Sequence, residues 1–68
     1  MNEDTLNMSV RKFLKTVGVT SQREIEKAVR AAAESGRVPA GGRLKAQTRL
    51  SVPEIGLDTV IEGVIEVG

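Results

Sequence analysis

An alternation of charged and apolar residues near the C-terminal end constrains the fold most. Basic or polar residues alternate with apolar ones over residues 43–50, and the acidic residues over residues 59–67 occupy one alternate set. Side chains of a β-strand point to opposite faces in turn, so each segment is predicted to be a strand with one apolar face. Together they are predicted to form an antiparallel β-hairpin.

The charges of the two strands also predict how they pair. An arrangement that places Arg49 opposite Glu62 also places Lys45 opposite Glu66. A shift by one residue would turn every side chain to the other face, so this double match favours a single register. The other predicted pairs are Leu44 with Val67, Ala46 with Ile65, Thr48 with Gly63 and Leu50 with Ile61.

The N-terminal segment is predicted to be an amphipathic helix from about residue 3 to about residue 17. Asn2 is a suitable N-cap, and Gly18 follows the last periodic residue, as is typical of a helix end. The predicted apolar stripe consists of Leu6, Val10, Phe13, Leu14 and Val17.

A second helix is predicted to begin at Ser21, because Ser21 and Glu24 have the spacing of a capping box. Gly36 is predicted to end it. Since the intervening segment is short, the two helices are expected to be spatial neighbours. The apolar stripe of this helix consists of Ile25, Ala28, Val29 and Ala32.

These elements predict an α+β fold of order ααββ in a single small domain, residues 1–68. A two-stranded hairpin is marginally stable alone in water, so a two-helix hairpin is expected to pack on one of its faces. The expected core consists of Phe13, Leu14, Val17, Ile25, Val29, Ile61 and Ile65.

Composition argues against several classes of function. The 68 residues include no Cys and no His, and Phe13 is the only aromatic residue. Disulfides, thiolate or imidazole metal sites and base-stacking platforms therefore have no side chains to build them. We expect no cofactor and no enzymatic activity. No apolar run approaches the roughly 20 residues that span a bilayer, so a cytoplasmic protein without membrane contact is expected.

The best functional reading is a protein-interaction module with an unidentified protein partner, and a homodimer is one form it could take. The connection between the strands carries large apolar residues, which a solvated loop rarely does. Two valines of the second strand share the face that carries its acids, which leaves an apolar strip. The predicted contact residues are Val52, Ile55, Leu57, Val60 and Val64.

The alternative is a weak DNA-binding protein with a degenerate winged-helix-like arrangement. Residues 13–32 invite a helix-turn-helix reading with Gly18–Ser21 as the turn, but Glu24 and Lys27 stand where that motif needs apolar residues. A net charge of +1 gives no general attraction to nucleic acid. We therefore do not expect nucleic acid as the partner. The residues that this alternative would use are Arg23, Lys27, Arg30, Arg43, Lys45 and Arg49.

An enzyme is the third and weakest reading. Glu62 and Glu66 would stand about 13 Å apart along a strand, farther than the roughly 5–9.5 Å of glycosidic acid–base pairs. Basic residues on the neighbouring strand would also hold both carboxylates ionised. An ion-pair ladder that specifies register is the simpler role for them.

Two blocks of the chain resemble a family of short hypothetical proteins from proteobacteria. The first comprises residues 7–15 and 17–30, and the second comprises residues 53–58 and 60–63. Together they cover about half of the chain. The resemblance implies a stand-alone cytosolic bacterial protein, and it supplies no catalytic or binding residues because the family's function is unknown.

Overall fold

The computed structural model describes all 68 residues, Met1–Gly68. It contains the helix α1 (Glu3–Glu34), the strand β1 (Arg43–Val52), a 3₁₀ turn (Pro53–Ile55) and the strand β2 (Leu57–Glu66). Backbone contacts divide the chain into two compact units, Met1–Arg37 and Val38–Gly68. The first unit holds the helix and the second holds the hairpin.

The predicted two-helix ααββ fold is wrong, because one helix of 32 residues replaces the two short ones. It runs without interruption through Gly18 and Ser21, neither of which has a positive φ. A glycine inside a helix costs only about 1 kcal/mol relative to alanine. A break there would sacrifice backbone hydrogen bonds and require two new caps, so a cooperative helix continues through it. Ser21 is therefore a mid-helix residue and not an N-cap.

The predicted ends of the helical region are close to the observed ones. The N-cap is confirmed, since Asn2 Oδ1 accepts a hydrogen bond of 3.1 Å from the Thr5 backbone N–H. At the other end Gly36 has φ 69° and donates its N–H to the Ala33 carbonyl at 3.2 Å. Arg37 donates its N–H to Ala32 at 2.8 Å, which completes a Schellman motif.

The antiparallel hairpin is confirmed, but the predicted register is wrong by two residues. Arg49 faces Val60 and not Glu62, and Thr48 faces Ile61 and not Gly63. A shift of two residues keeps every side chain on its predicted face, because the strand repeats every two residues. The assignment of residues to the two faces therefore stands.

The turn accounts for the observed register. Gly56 adopts the left-handed conformation with φ 71°, and its N–H donates to the Pro53 carbonyl at 3.1 Å. This four-residue connection brings Val52 directly opposite Leu57. A short, locally hydrogen-bonded turn outweighs exposed ion pairs, which contribute only about 0–1 kcal/mol each. The predicted register was wrong because it was based on the charge pairs between the strands.

A close backbone contact closes the open end of the hairpin. The Val67 N–H donates to the Gly42 carbonyl at 2.6 Å. Gly42 has φ 64°, and a Cβ at this position would lie 2.6 Å from the Gly68 nitrogen. Gly42 is therefore required both by its backbone conformation and by the space available.

No hydrophobic side chain of the chain is fully buried. Of the expected core residues, Phe13 and Ile61 are 53% and 57% exposed. A lone helix and a two-stranded sheet are each a single layer, and a layer needs another to cover its apolar face. Of the rest of the expected core, Leu14 and Ile25 are also exposed, and Val17, Val29 and Ile65 are half-buried.

Candidate interaction surfaces

One face of the hairpin, here called the charged face, combines ionic side chains with two valines. Val60 lies opposite Arg49, and Val64 lies opposite Lys45. Both valines are exposed, Val64 by 55%. Each apolar side chain therefore stands among charged neighbours. The residues of this face are Arg43, Lys45, Gln47, Arg49, Ser51, Asp58, Val60, Glu62, Val64 and Glu66.

Two ion pairs cross the charged face, and neither is one that the sequence predicted. Arg49 donates from Nε to Asp58 Oδ1 at 2.9 Å and from Nη2 to Asp58 Oδ2 at 2.7 Å. Arg43 lies directly opposite Glu66 on the other strand, and its Nε is 3.9 Å from Glu66 Oε1. The shifted register leaves Lys45 and Glu62 without an ion-pair partner.

The contact between Arg49 and Asp58 shifts the pKa of both groups in the direction that favours their charged forms. The hydrogen bonds from Arg49 lower the pKa of the Asp58 carboxyl, against a smaller effect of desolvation. The same contact raises the pKa of Arg49. Both side chains remain largely exposed, so salt screens the attraction.

The opposite face, here called the apolar face, was assigned to the core by the sequence. It carries Ile61, 57% exposed, and the half-buried Leu44, Leu50 and Ile65. The alternation of apolar residues correctly predicted which residues share this face. It did not predict that the face would be exposed. The residues of this face are Leu44, Ala46, Thr48, Leu50, Val52, Leu57, Thr59, Ile61, Gly63 and Ile65.

A shallow groove crosses the middle of the hairpin where two small residues, Ala46 and Gly63, lie opposite each other. Gly63 has no positive φ, and a Cβ added to it would meet no atom within 4 Å. Nothing within the chain therefore requires glycine here. The groove is lined by Lys45, Ala46, Gln47, Glu62, Gly63 and Val64.

The structure distributes the five predicted contact residues over three parts of the hairpin. Ile55, 76% exposed, lies in the turn. Val52 and Leu57 face each other at the end of the apolar face, and Val60 and Val64 lie on the charged face. The prediction treated them as one surface, whereas they belong to two faces and the turn between them.

The basic residues predicted for nucleic-acid binding are not arranged in a helix-turn-helix motif. Arg23, Lys27 and Arg30 belong to α1, on the side opposite its apolar stripe, and the helix runs straight through the expected turn. In the hairpin, Arg43 and Arg49 already contact carboxylates. The helix-turn-helix arrangement is absent.

No cluster of three or more Asp or Glu side chains able to hold a metal ion occurs in the structure. None of its helices has both the length and the apolar character needed to cross a membrane.

One family model matches residues 1–68, which is the whole chain, and its description reads "Family of unknown function (DUF6494)". No curated protein matches the chain significantly. No solved structure matches it significantly either.

Proposed function

We propose that this chain, which belongs to the DUF6494 family of unknown function, is a non-enzymatic protein-interaction module that binds its partner through the hairpin. The proposal keeps the bacterial, cytoplasmic setting that the family resemblance implies. It includes no catalytic residue, no cofactor and no metal.

The observation that carries the proposal is the exposure of large apolar side chains on an ordered hairpin. Ile55 in the turn, Ile61 on the apolar face and Val64 on the charged face are all more than half exposed. Single exposed apolar residues are ordinary, but three on one small hairpin leave apolar surface on both faces and at the turn for a protein partner to bury. Burying one such side chain contributes about 1.5–3 kcal/mol.

The edges of the sheet support the same reading. A two-stranded sheet has one unpaired edge on each strand, with backbone N–H and C=O groups free to pair. A partner strand added at either edge would extend the sheet and both of its faces, and a second layer of the partner would then cover the apolar face. The partner is thus expected to be a protein segment able to supply main-chain hydrogen bonds and apolar side chains.

The charged residues of the hairpin are more typical of the polar rim of a protein–protein interface than of a nucleic-acid site. The face that holds Val60 and Val64 contains both signs of charge, and both of its arginines are paired with carboxylates. Phosphate binding needs unopposed positive charge, whereas protein interfaces surround an apolar centre with polar groups.

Site-specific photocrosslinking of the full chain in its native host tests the proposal. A benzophenone side chain would replace Ile55, Ile61 or Val64, with Ser51 as the control position. Ser51 is exposed, polar and part of the same hairpin. We expect discrete protein adducts at the three apolar positions that persist in 1 M salt, and none at Ser51.

Adducts of equal yield at all four positions, or at none of them with the hairpin folded, would overturn the proposal. Adducts that disappear in high salt would indicate an electrostatic contact instead.

A further inference from the structure

The positions that form one side of α1, most of them apolar, recur along the full helix with a period of 11 residues. An 11-residue repeat corresponds to about 3.67 residues per turn, close to the 3.6 of an unstrained helix, so the stripe stays on one side. Continuity through Gly18 joins the first predicted stripe to most of the second in one seam, which also includes Ser21 and Glu24 and leaves out Val29. The seam consists of Leu6, Val10, Phe13, Leu14, Val17, Ser21, Glu24, Ile25, Ala28 and Ala32.

The two halves of the seam differ in side-chain size. The first half, up to Val17, contains only large apolar residues, and four of its five members are exposed. The second half contains one large apolar residue, Ile25, among small ones and a glutamate. If the order of the seam positions is reversed about residue 19, the positions of each half coincide with those of the other half.

We propose that α1 pairs with α1 of a second copy of this chain, antiparallel and related by a two-fold axis near residue 19. Residues that face each other then have numbers that sum to about 38. Val10 meets Ala28 of the partner subunit, and Phe13 meets Ile25 of the partner subunit. The other layers join Leu6 with Ala32 of the partner subunit and Val17 with Ser21 of the partner subunit.

Size complementarity selects the antiparallel arrangement. Large residues of one helix meet small residues of the other in three layers, which gives even packing along the whole seam. A parallel dimer would place Phe13 against itself and Ala32 against itself. One end would be overpacked and the other would contain voids, and both faults are destabilising. The antiparallel pair also sets the helix dipoles in opposition.

The seam is long enough for an extended contact between two helices. From Leu6 to Ala32 it extends about 39 Å at 1.5 Å per residue. An identical helix matches this length and can cover the seam from end to end.

Glu24 is the one mismatch in the seam, since it faces Leu14 of the partner subunit. A substitution at this position should therefore strengthen the dimer, whereas most substitutions in the seam should weaken it. Glu24→Leu would add an apolar contact in each of two symmetry-related layers, and it should lower the dimer dissociation constant at least tenfold. This inference goes beyond the proposed function, because it uses α1 and not the hairpin.

Cysteine crosslinking tests the pairing directly, because the chain has no cysteine of its own. Val10→Cys and Ala28→Cys chains would be mixed and oxidised mildly. We expect the mixed disulfide to exceed either self-linked product several-fold. The control mixes Met8→Cys with Arg30→Cys. Their residue numbers also sum to 38, but both residues lie on the opposite side of the helix, so this pair should give only a background yield of disulfide.

Predominant self-linking of Val10→Cys would overturn the antiparallel order. Equal yields from the seam and control pairs, or an unmodified chain that sediments as a monomer up to millimolar concentration, would overturn the dimer. Sedimentation of the unmodified chain keeps the test valid if a cysteine variant fails to fold. Hairpin photocrosslinks to another protein that persist in a monomeric chain would leave the proposed function standing.

Discussion

Arg49 holds Asp58 through two hydrogen bonds, although the two residues are not directly opposite each other. Arg49 faces Val60, and Asp58 faces Ser51, so the contact runs diagonally across the charged face. A planar guanidinium matches a carboxylate in this two-pronged geometry. The contact lies next to the turn, and it is compatible with the register that the turn imposes.

The first prediction concerns pH. Because Arg49 lowers the pKa of Asp58, the contact stabilises the hairpin above the ordinary carboxyl pKa of about 3.9, and this contribution is lost as the pH falls through the lowered value. A titration of the Asp58 carboxyl carbon by NMR should show this low pKa. In Arg49→Met the pKa should return toward its ordinary value, and an unchanged titration would contradict the contact.

The second prediction concerns the start of the helix. Asn2→Ala removes the acceptor of the Thr5 N–H and should lower helix stability by about 1 kcal/mol, as the loss of an N-cap usually does. Hydrogen exchange of the first-turn amides would report the loss. Ser21→Ala is the matched control and should preserve or raise helix content, because Ser21 lies inside α1. A larger loss for Ser21→Ala would restore a helix start at that residue.

The third prediction contrasts two glycines of the same unit. Gly18→Ala should raise helix stability by about 0.5–1 kcal/mol, because the added Cβ meets no atom within 4 Å and φ is not positive. Gly36→Ala should instead cost about 1–2 kcal/mol, because φ there is 69°. Circular dichroism during thermal unfolding would separate the two. Equal effects would indicate that the helix does not end in the Schellman motif.

The fourth prediction concerns the open end of the hairpin. Gly42→Ala would place a Cβ 2.6 Å from the Gly68 nitrogen in a backbone conformation with φ 64°, so the strand ends should separate there. Loss of exchange protection at the Val67 amide would show it. Gly63→Ala, in open space within the same hairpin, should leave that amide protected. Equal protection in both variants would mean that the close contact does not form in solution.

Local signals in the sequence determined much of this protein. The Asn2 cap, the end of the helix near Gly36, the two strands and the faces of their residues all depend on interactions within a few residues or on simple periodicity. These features are insensitive to what lies elsewhere. The apolar residues of both helical stripes were also identified, although not as one seam.

Three features required the three-dimensional structure. Helix continuity through Gly18 depends on cooperative hydrogen bonding, which outweighs a capping box and a glycine that would each suggest a boundary. The register follows from a turn at Pro53–Gly56, whose closure outweighs exposed charge pairs. The exposure of Phe13 and Ile61 follows from having one helix and two strands, each a single layer. Sequence periodicity identifies which face is apolar, but only the arrangement of layers decides whether that face is covered.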